Sequence, residues 1–270
     1  SDQTLIWEAW VKNFLASVGY TEFFGYSFVD VKTLEKYGIS PQDCVRILNP
    51  LAEDLSHLRP SLMPSLLRDI ERNQANSPSG KVFELSRVHI PRVNELPDER
   101  FRLVIADYGR ESAEQAFMEL RGVLELLARR TGLEITVGGN VDDARWHSSR
   151  SALITLGQGD NRKVVGTIGQ VADANQVAFG IGRPVFAVDL DLEFLMAHMH
   201  QVLSYIPVSE FPIVTRDISF VVTDRTEFAA LETMIKAQNI LVQKVELADI
   251  YRGQGVESGK KSVTLSITFG

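Results

Sequence analysis

The chain has 270 residues, 44% of them hydrophobic and 23% charged, with 28 Lys and Arg against 35 Asp and Glu. That length predicts two domains, each able to bury a core unaided, and a single cysteine, Cys44, excludes an internal disulfide and points to a reducing, cytoplasmic setting. No run of about 18 apolar residues can span a bilayer, the first residues lack the basic-then-apolar order of a signal peptide, and a net charge of -7 lacks the basic footprint of a chain drawn onto nucleic acid by overall charge.

Leu5, Ile6, Trp10, Phe14 and Val18 form a helical stripe over 5–18, ended by Gly19, with Asp2 or Thr4 as its cap. Residues 20–29 are aromatic-rich and read as a strand; Asp30 then caps a short helix over 31–37, closed by Gly38. Pro64 marks the first turn of a helix carrying Leu66, Leu67 and Ile70, which runs into the polar, turn-forming stretch 73–80. Strands 82–90 and 101–107 follow, joined by a loop rich in charge and proline, 91–99. The longest helix covers 113–130, with Phe117, Leu120, Val123, Leu124 and Leu127 at helical spacing and Gly132 as its stop. Four short strands (134–137, 152–156, 164–168 and 185–190) and a helix from Leu192 to about His200 complete the first module. Strands outnumber helices and follow one another directly, which predicts an α+β fold whose largely antiparallel sheet carries helices on one face.

Pro207 and Pro212 bracket a linker at 205–212. Beyond it come strand 216–222, helix 227–238, strand 242–250, a Gly-rich turn and strand 263–269. This β-α-β-β order suggests a split βαβ plait that needs a further helix and strand. The chain therefore reads as a fragment of a longer polypeptide, and its last module as a truncated plait with an unpaired sheet edge. Residues 1–205 hold 21 basic and 27 acidic side chains, and residues 206–270 hold 7 and 8, so neither module is basic.

Chemistry-bearing patterns are sparse. His57, His89, His147, His198 and His200 include no pair at i, i+4 with a glutamate between, and one cysteine cannot seed a zinc cluster, so no metal site is expected. Gly180 and Gly182 lie between strand-like segments, which predicts a tight turn and not a phosphate loop at a helix start. His147, Ser148, Ser149 and Ser151 surround Arg150 without a nucleophile elbow, so 146–151 reads as a polar loop, with the Arg150 guanidinium bridging strands or meeting a partner.

The stretch from Asn49 to Leu67 (NPLAEDLSHLRPSLMPSLL) changes the weighting. It resembles the NPLxxExSxLRxSLLPGLL pattern of bacterial phenylalanyl-tRNA synthetase beta subunits. KVFELSRV at 81–88 is similar to that family's (L/V)FEIGRVF, RWHSSRSALI at 145–154 to FHPGRSAxI, and VGTIGQ at 165–170 to (I/V)GxxGE. FPIVTRDISFVV at 211–222 and the segment 250–269 resemble its C-terminal anticodon-binding module. The blocks occur in family order and span nearly the whole chain. Departures are Ser86 and Ser149 for glycines, and Val171-Ala172 for a histidine-proline pair.

The resemblance implies that 1–205 form a catalytic-like domain, a class II synthetase-like antiparallel sheet with flanking helices that has lost its active site, and that 206–270 are part of a ferredoxin-like anticodon-binding domain. It implies ATP and Mg2+ for the complete enzyme and none bound by this segment: IPRVNE at 90–95 and the Gly180–Arg183 turn, which leads into a strand and not a helix, do not match the two arginine positions of a working class II site. It further implies a catalytic alpha subunit as partner in an α2β2 assembly, with Trp7, Trp10 and Phe14 of the opening helix at the subunit interface; burial within the monomer is the alternative use of those residues. Arg216, Tyr251, Arg252, Lys260 and Lys261 become candidate contacts to tRNA(Phe) through phosphate neutralisation and base stacking, although Arg216 with Asp217 also suits an ion pair and Tyr251 half-buried core. Arg59, Glu84, Arg87 and Arg150 are candidate structural ion-pair residues, since buried charges need partners. The function implied is the noncatalytic portion of a phenylalanine-tRNA ligase; a free-standing RNA-binding or interaction paralogue is the alternative.

Overall fold

The computed structural model describes residues 2–50, 52, 55–157, 162–200, 212–253 and 255–270. Of the expected linker, only Pro212 falls among them. The chain divides into two compact units, Ser1–Val202 and Leu203–Gly270.

In the larger unit, α1 (Asp2–Ser17) carries two adjacent apolar stripes. Trp7, Val11 and Leu15, at i, i+4 and i+8, are buried, while Ile6, Trp10 and Phe14, one residue earlier in each turn, are exposed or half-buried. Thr4 lies within the helix and not at its cap, and Gly19 leaves it at φ 90°, a conformation natural to glycine. The aromatic segment that follows is not one strand. It forms β1 (Thr21–Glu22) and β2 (Phe28–Val29), separated where Gly25 crosses over the side chains of Arg59 and Glu84. A Cβ at Gly25 would come within 3.2 Å of both.

Asp30 caps α2 (Val31–Lys36) as expected, its Oδ1 accepting from Thr33 N at 2.7 Å. Strands β3 (Val45–Arg46) and β4 (His57–Leu58) join β2 in a small sheet of order β2-β4-β3, which two-residue strands left illegible in the sequence. Then come α3 (Met63–Asn73), β5 (Gly80–Ile90), β6 (Asp98–Tyr108) and α4 (Ala113–Thr131). Ser112 caps α4 by accepting from Gln115 N, and Gly132 closes it in the left-handed region at φ 67°.

β7 (Ile135–Gly138), β8 (Trp146–Leu156), β9 (Lys163–Val171), α5 (Asp173–Ala178), β10 (Val185–Asp191) and α6 (Leu192–Met196) complete the unit. Three expectations are corrected here. Residues 146–151 belong to β8, joined to it through a shift in register against β9 between Trp146 and Ser151. Gly180 follows α5, a helix the sequence reading missed, and the last helix ends at Met196, before His200.

The seven strands run in the order β1-β5-β6-β10-β9-β8-β7, antiparallel throughout except for the parallel β1–β5 pair. Both faces are covered, not one. Alternation along β6 sends Leu103 and Ile105 toward α1 and α4, and Val104 and Ala106 toward α2 and α3. That double burial explains the unbroken apolar run Leu103 to Ala106. Each large side chain so buried contributes on the order of 1.5–3 kcal/mol.

The smaller unit comprises β11 (Val214–Thr223), α7 (Phe228–Gln238), β12 (Val242–Tyr251) and β13 (Lys260–Phe269), in the sheet order β11-β13-β12. Leu231, Val245, Val263, Leu265 and Ile267 form its core. Cross-strand register places Ile218 opposite Leu265 and therefore on the helix side, yet it is 48% exposed because α7 covers only part of that face. The opposite face is a ladder of hydroxyls, with Ser219 and Thr264 bonded at 2.8 Å and Ser266 donating to Asp217 at 2.6 Å.

Candidate interaction surfaces

The first surface is the outer stripe of α1. Trp10 and Phe14 stack in parallel, with ring centroids 5.4 Å apart and planes 4° from coplanar, and Leu5 and Ile6 extend the apolar strip. Trp7 is corrected: at 5% exposure it meets Trp10 edge-on from within the core, the alternative use of that residue. Nearby in sequence, Phe24 and Tyr26 are 92% and 76% exposed on either side of Gly25.

Beneath Gly25 lies the buried pair. Arg59 Nη1 is 2.6 Å from Glu84 Oε1, with side chains 0% and 1% exposed. Burial pushes the Glu84 carboxyl above its ordinary pKa despite the facing guanidinium. Arg59 Nε and Nη2 meet no hydrogen-bond acceptor among the described residues. Two other expected ion-pair residues behave differently. Arg87 is 53% exposed, 3.8 Å from the equally exposed Glu99, with its guanidinium over the Phe101 ring. Arg150 has no carboxylate partner among the described residues, and its Nη1 donates to neutral Gln170 Oε1 at 2.8 Å. It bridges β8 to β9 as a hydrogen bond and not as an ion pair.

The second surface is a cleft of about 250 Å3 on the α2/α3 side of the large sheet, whose charged residues the sequence reading did not single out. Arg102 Nη2 lies 2.6 Å from Asp189 Oδ1, Arg145 is bidentate to Asp143 at 2.7 and 2.8 Å, and Arg100 Nε donates to Asp98 at 2.8 Å. Burial opposes ionisation of Asp143, but the hydrogen bonds from Arg145 outweigh it and hold its carboxyl below the usual range. Arg145 also lies over the Tyr37 ring, and burial raises that phenol. Asp189 was detectable as a lone charge inside an apolar strand; its partner Arg102, 87 residues away, was not. ATP with Mg2+ does not fit this donor set, because every guanidinium here is already neutralised by an aspartate. No group of three or more His, Cys, Asp or Glu suited to a metal occurs among the described residues.

The third surface is one end of the small sheet. Thr223 and Val222 of β11 oppose Lys260 and Lys261, and Arg252 follows β12 there. Arg225, in the turn before α7, joins this end and was missed by sequence reasoning because a single arginine in a polar turn carries no pattern. Arg252 pairs with Asp224 at 3.0 Å, Lys260 with Glu257, and Lys261 donates to the carbonyls of Asp224 and Thr226. Tyr251 is half exposed. Arg216 stands apart, opposite Ile267 and seven residues up β11 from Thr223, roughly 20 Å along the strand. It points to the helix side of the sheet, whereas Asp217 points to the other face, bonded to Ser266, so the two do not pair.

These features define a two-unit α+β protein whose larger unit presents an apolar helix face and a self-neutralised cleft, and whose smaller unit is an open plait with a basic end. Residues 3–192 match the family model of the phenylalanyl tRNA synthetase beta chain CLM domain, and residues 209–270 that of the ferredoxin-fold anticodon binding domain. The chain belongs to the phenylalanyl-tRNA synthetase beta chain family. It is 33% identical over 275 residues to the phenylalanine-tRNA ligase beta subunit of Syntrophotalea carbinolica, and 31% identical over 269 residues to that of Clostridium acetobutylicum. The beta subunit of Fusobacterium nucleatum is 28% identical over 274 residues. These alignments take in 95–96% of this chain but only 33–34% of each relative, so the chain spans about a third of their length. No helix among the described residues is long and apolar enough to cross a membrane.

Proposed function

We propose that the chain serves as the noncatalytic scaffold and a tRNA-binding portion of a phenylalanine-tRNA ligase beta subunit, with residues 1–205 as an inactive class II synthetase-like domain and 206–270 as part of the anticodon-binding domain. The observation that carries this reading is the match of both units, in order, to the two beta-chain models. The six-stranded antiparallel run with one added parallel strand supports the class II assignment of the larger unit. In this reading a cytoplasmic alpha subunit supplies the active site, where ATP and Mg2+ drive attachment of phenylalanine to tRNA(Phe) in an α2β2 assembly. The Ile6–Trp10–Phe14 strip docks on alpha, because an apolar face of that size gains from leaving water. Arg225, Arg252 and the two lysines meet the RNA backbone, while neighbouring Asp224 and Glu257 keep that contact weak. The relatives named above give the free-standing alternative no support. Co-expression with the cognate alpha subunit, followed by light scattering, tests the reading: a mixed complex is expected, and a well-folded chain that stays alone overturns it.

A further inference from the structure

We propose that a cavity between the start of α4 and strands β8 and β10 binds a free α-amino acid with an apolar side chain. The cavity holds about 420 Å3, within the range of small-molecule sites. Its wall is mostly apolar, with Ala113, Phe117, Ala152 and Phe186 beside the hydroxyls of Ser149 and Ser151. Two charges stand at its rim. Arg150 is fixed by Gln170 Oε1, and Gln170 is in turn held by Asp173 at 2.8 Å, so the guanidinium is positioned without being neutralised. Glu114, in the first turn of α4, makes no ion pair among the described residues. A plain anion would meet Arg150 but be repelled by Glu114, and a plain cation the reverse. A zwitterion satisfies both, its carboxylate on Arg150 and its ammonium on Glu114, and an apolar side chain then fills the space against the two phenylalanines. The cavity lies on the α1/α4 side of the sheet, on the opposite face from the Arg–Asp cleft.

Titration calorimetry and ligand-observed NMR on the full 270-residue chain, with L-phenylalanine and L-leucine as probes, test this. Binding with a Kd on the order of 1 mM or tighter is expected. 3-Phenylpropionate, which lacks the ammonium, and phenethylamine, which lacks the carboxylate, should each bind about tenfold more weakly, as should the amino acids to Arg150→Gln and Glu114→Gln. The analogue series reads the unaltered protein, so it decides the matter even if a variant misfolds. No detectable binding of either amino acid, or equal binding of 3-phenylpropionate, overturns the proposal.

Discussion

Among the described residues, the larger unit wraps seven strands on both faces and takes charges inside only as opposed pairs, whereas the smaller covers three strands on one face with one helix and keeps every charge out of its core. The difference follows from surface and volume. A sheet covered twice offers interior positions dry enough that a lone charge is intolerable, so Arg59 and Glu84 occur together. Among the described residues, the thinner unit has five buried apolar side chains and leaves Ile218, Leu247 and Ile250 open to water on the helix side of its strands. Less buried area means less margin, so the two units should fail independently and for different reasons.

Cys44 allows them to be separated. Burial pushes its thiol up to about 11, so it should resist disulfide reagents at pH 8 until the larger unit opens. The largest effect is expected from Arg59→Met, which strands Glu84: a loss of about 3–5 kcal/mol in urea denaturation, read by Cys44 exposure. Because the Glu84 carboxyl titrates above its unfolded value, the folded variant holds its proton more tightly than the unfolded chain, and the loss should shrink as pH falls from neutrality. A loss that is constant with pH would mean that Glu84 finds another counter-charge. Next, Leu231→Ala should cost about 2–4 kcal/mol and melt the smaller unit, seen by circular dichroism, with Cys44 still protected. Simultaneous exposure of Cys44 would break the comparison.

Asp30→Ala should remove about 1 kcal/mol from the larger unit. Burial opposes ionisation of Asp30, but the Thr33 hydrogen bonds outweigh it and hold the carboxyl below its ordinary value. Its contribution is therefore present above the unfolded pKa and lost as pH falls below about 4, and the variant should lack that part of the acid slope. The smallest effect is expected from Arg121→Ala, which breaks an exposed i, i+4 pair with Glu125 on α4 and should cost about 0.3–0.5 kcal/mol, declining with salt.

How much of this was legible depended on the range of the interactions. α4 announced itself through one apolar spacing and a glycine stop, both within twenty residues, and it formed as expected. The strand expected over 20–29 failed because its break depends on Arg59 and Glu84 lying beneath Gly25, a contact among segments 34 and 25 residues apart in sequence. The opening helix showed that it was apolar on two stripes but not which stripe faced inward, so Trp7 was misplaced while Trp10 and Phe14 were not buried with it. Among the surfaces, the local Asp143–Arg145 pair had a visible cue and the Arg102–Asp189 pair had none, because only strand pairing brings the latter together.

The tryptophans carry an optical consequence. Trp7 sits in the core on the α1/α4 face, Trp146 in the core on the α2/α3 face, and Trp10 on the outer strip stacked against Phe14. The chain has three tryptophans, and residues 203–270 contain none. Indole emission is thus a three-colour view of one unit and blind to the other. Quenchers dissolved in the buffer should reach Trp10 first, and a bound partner should shield it.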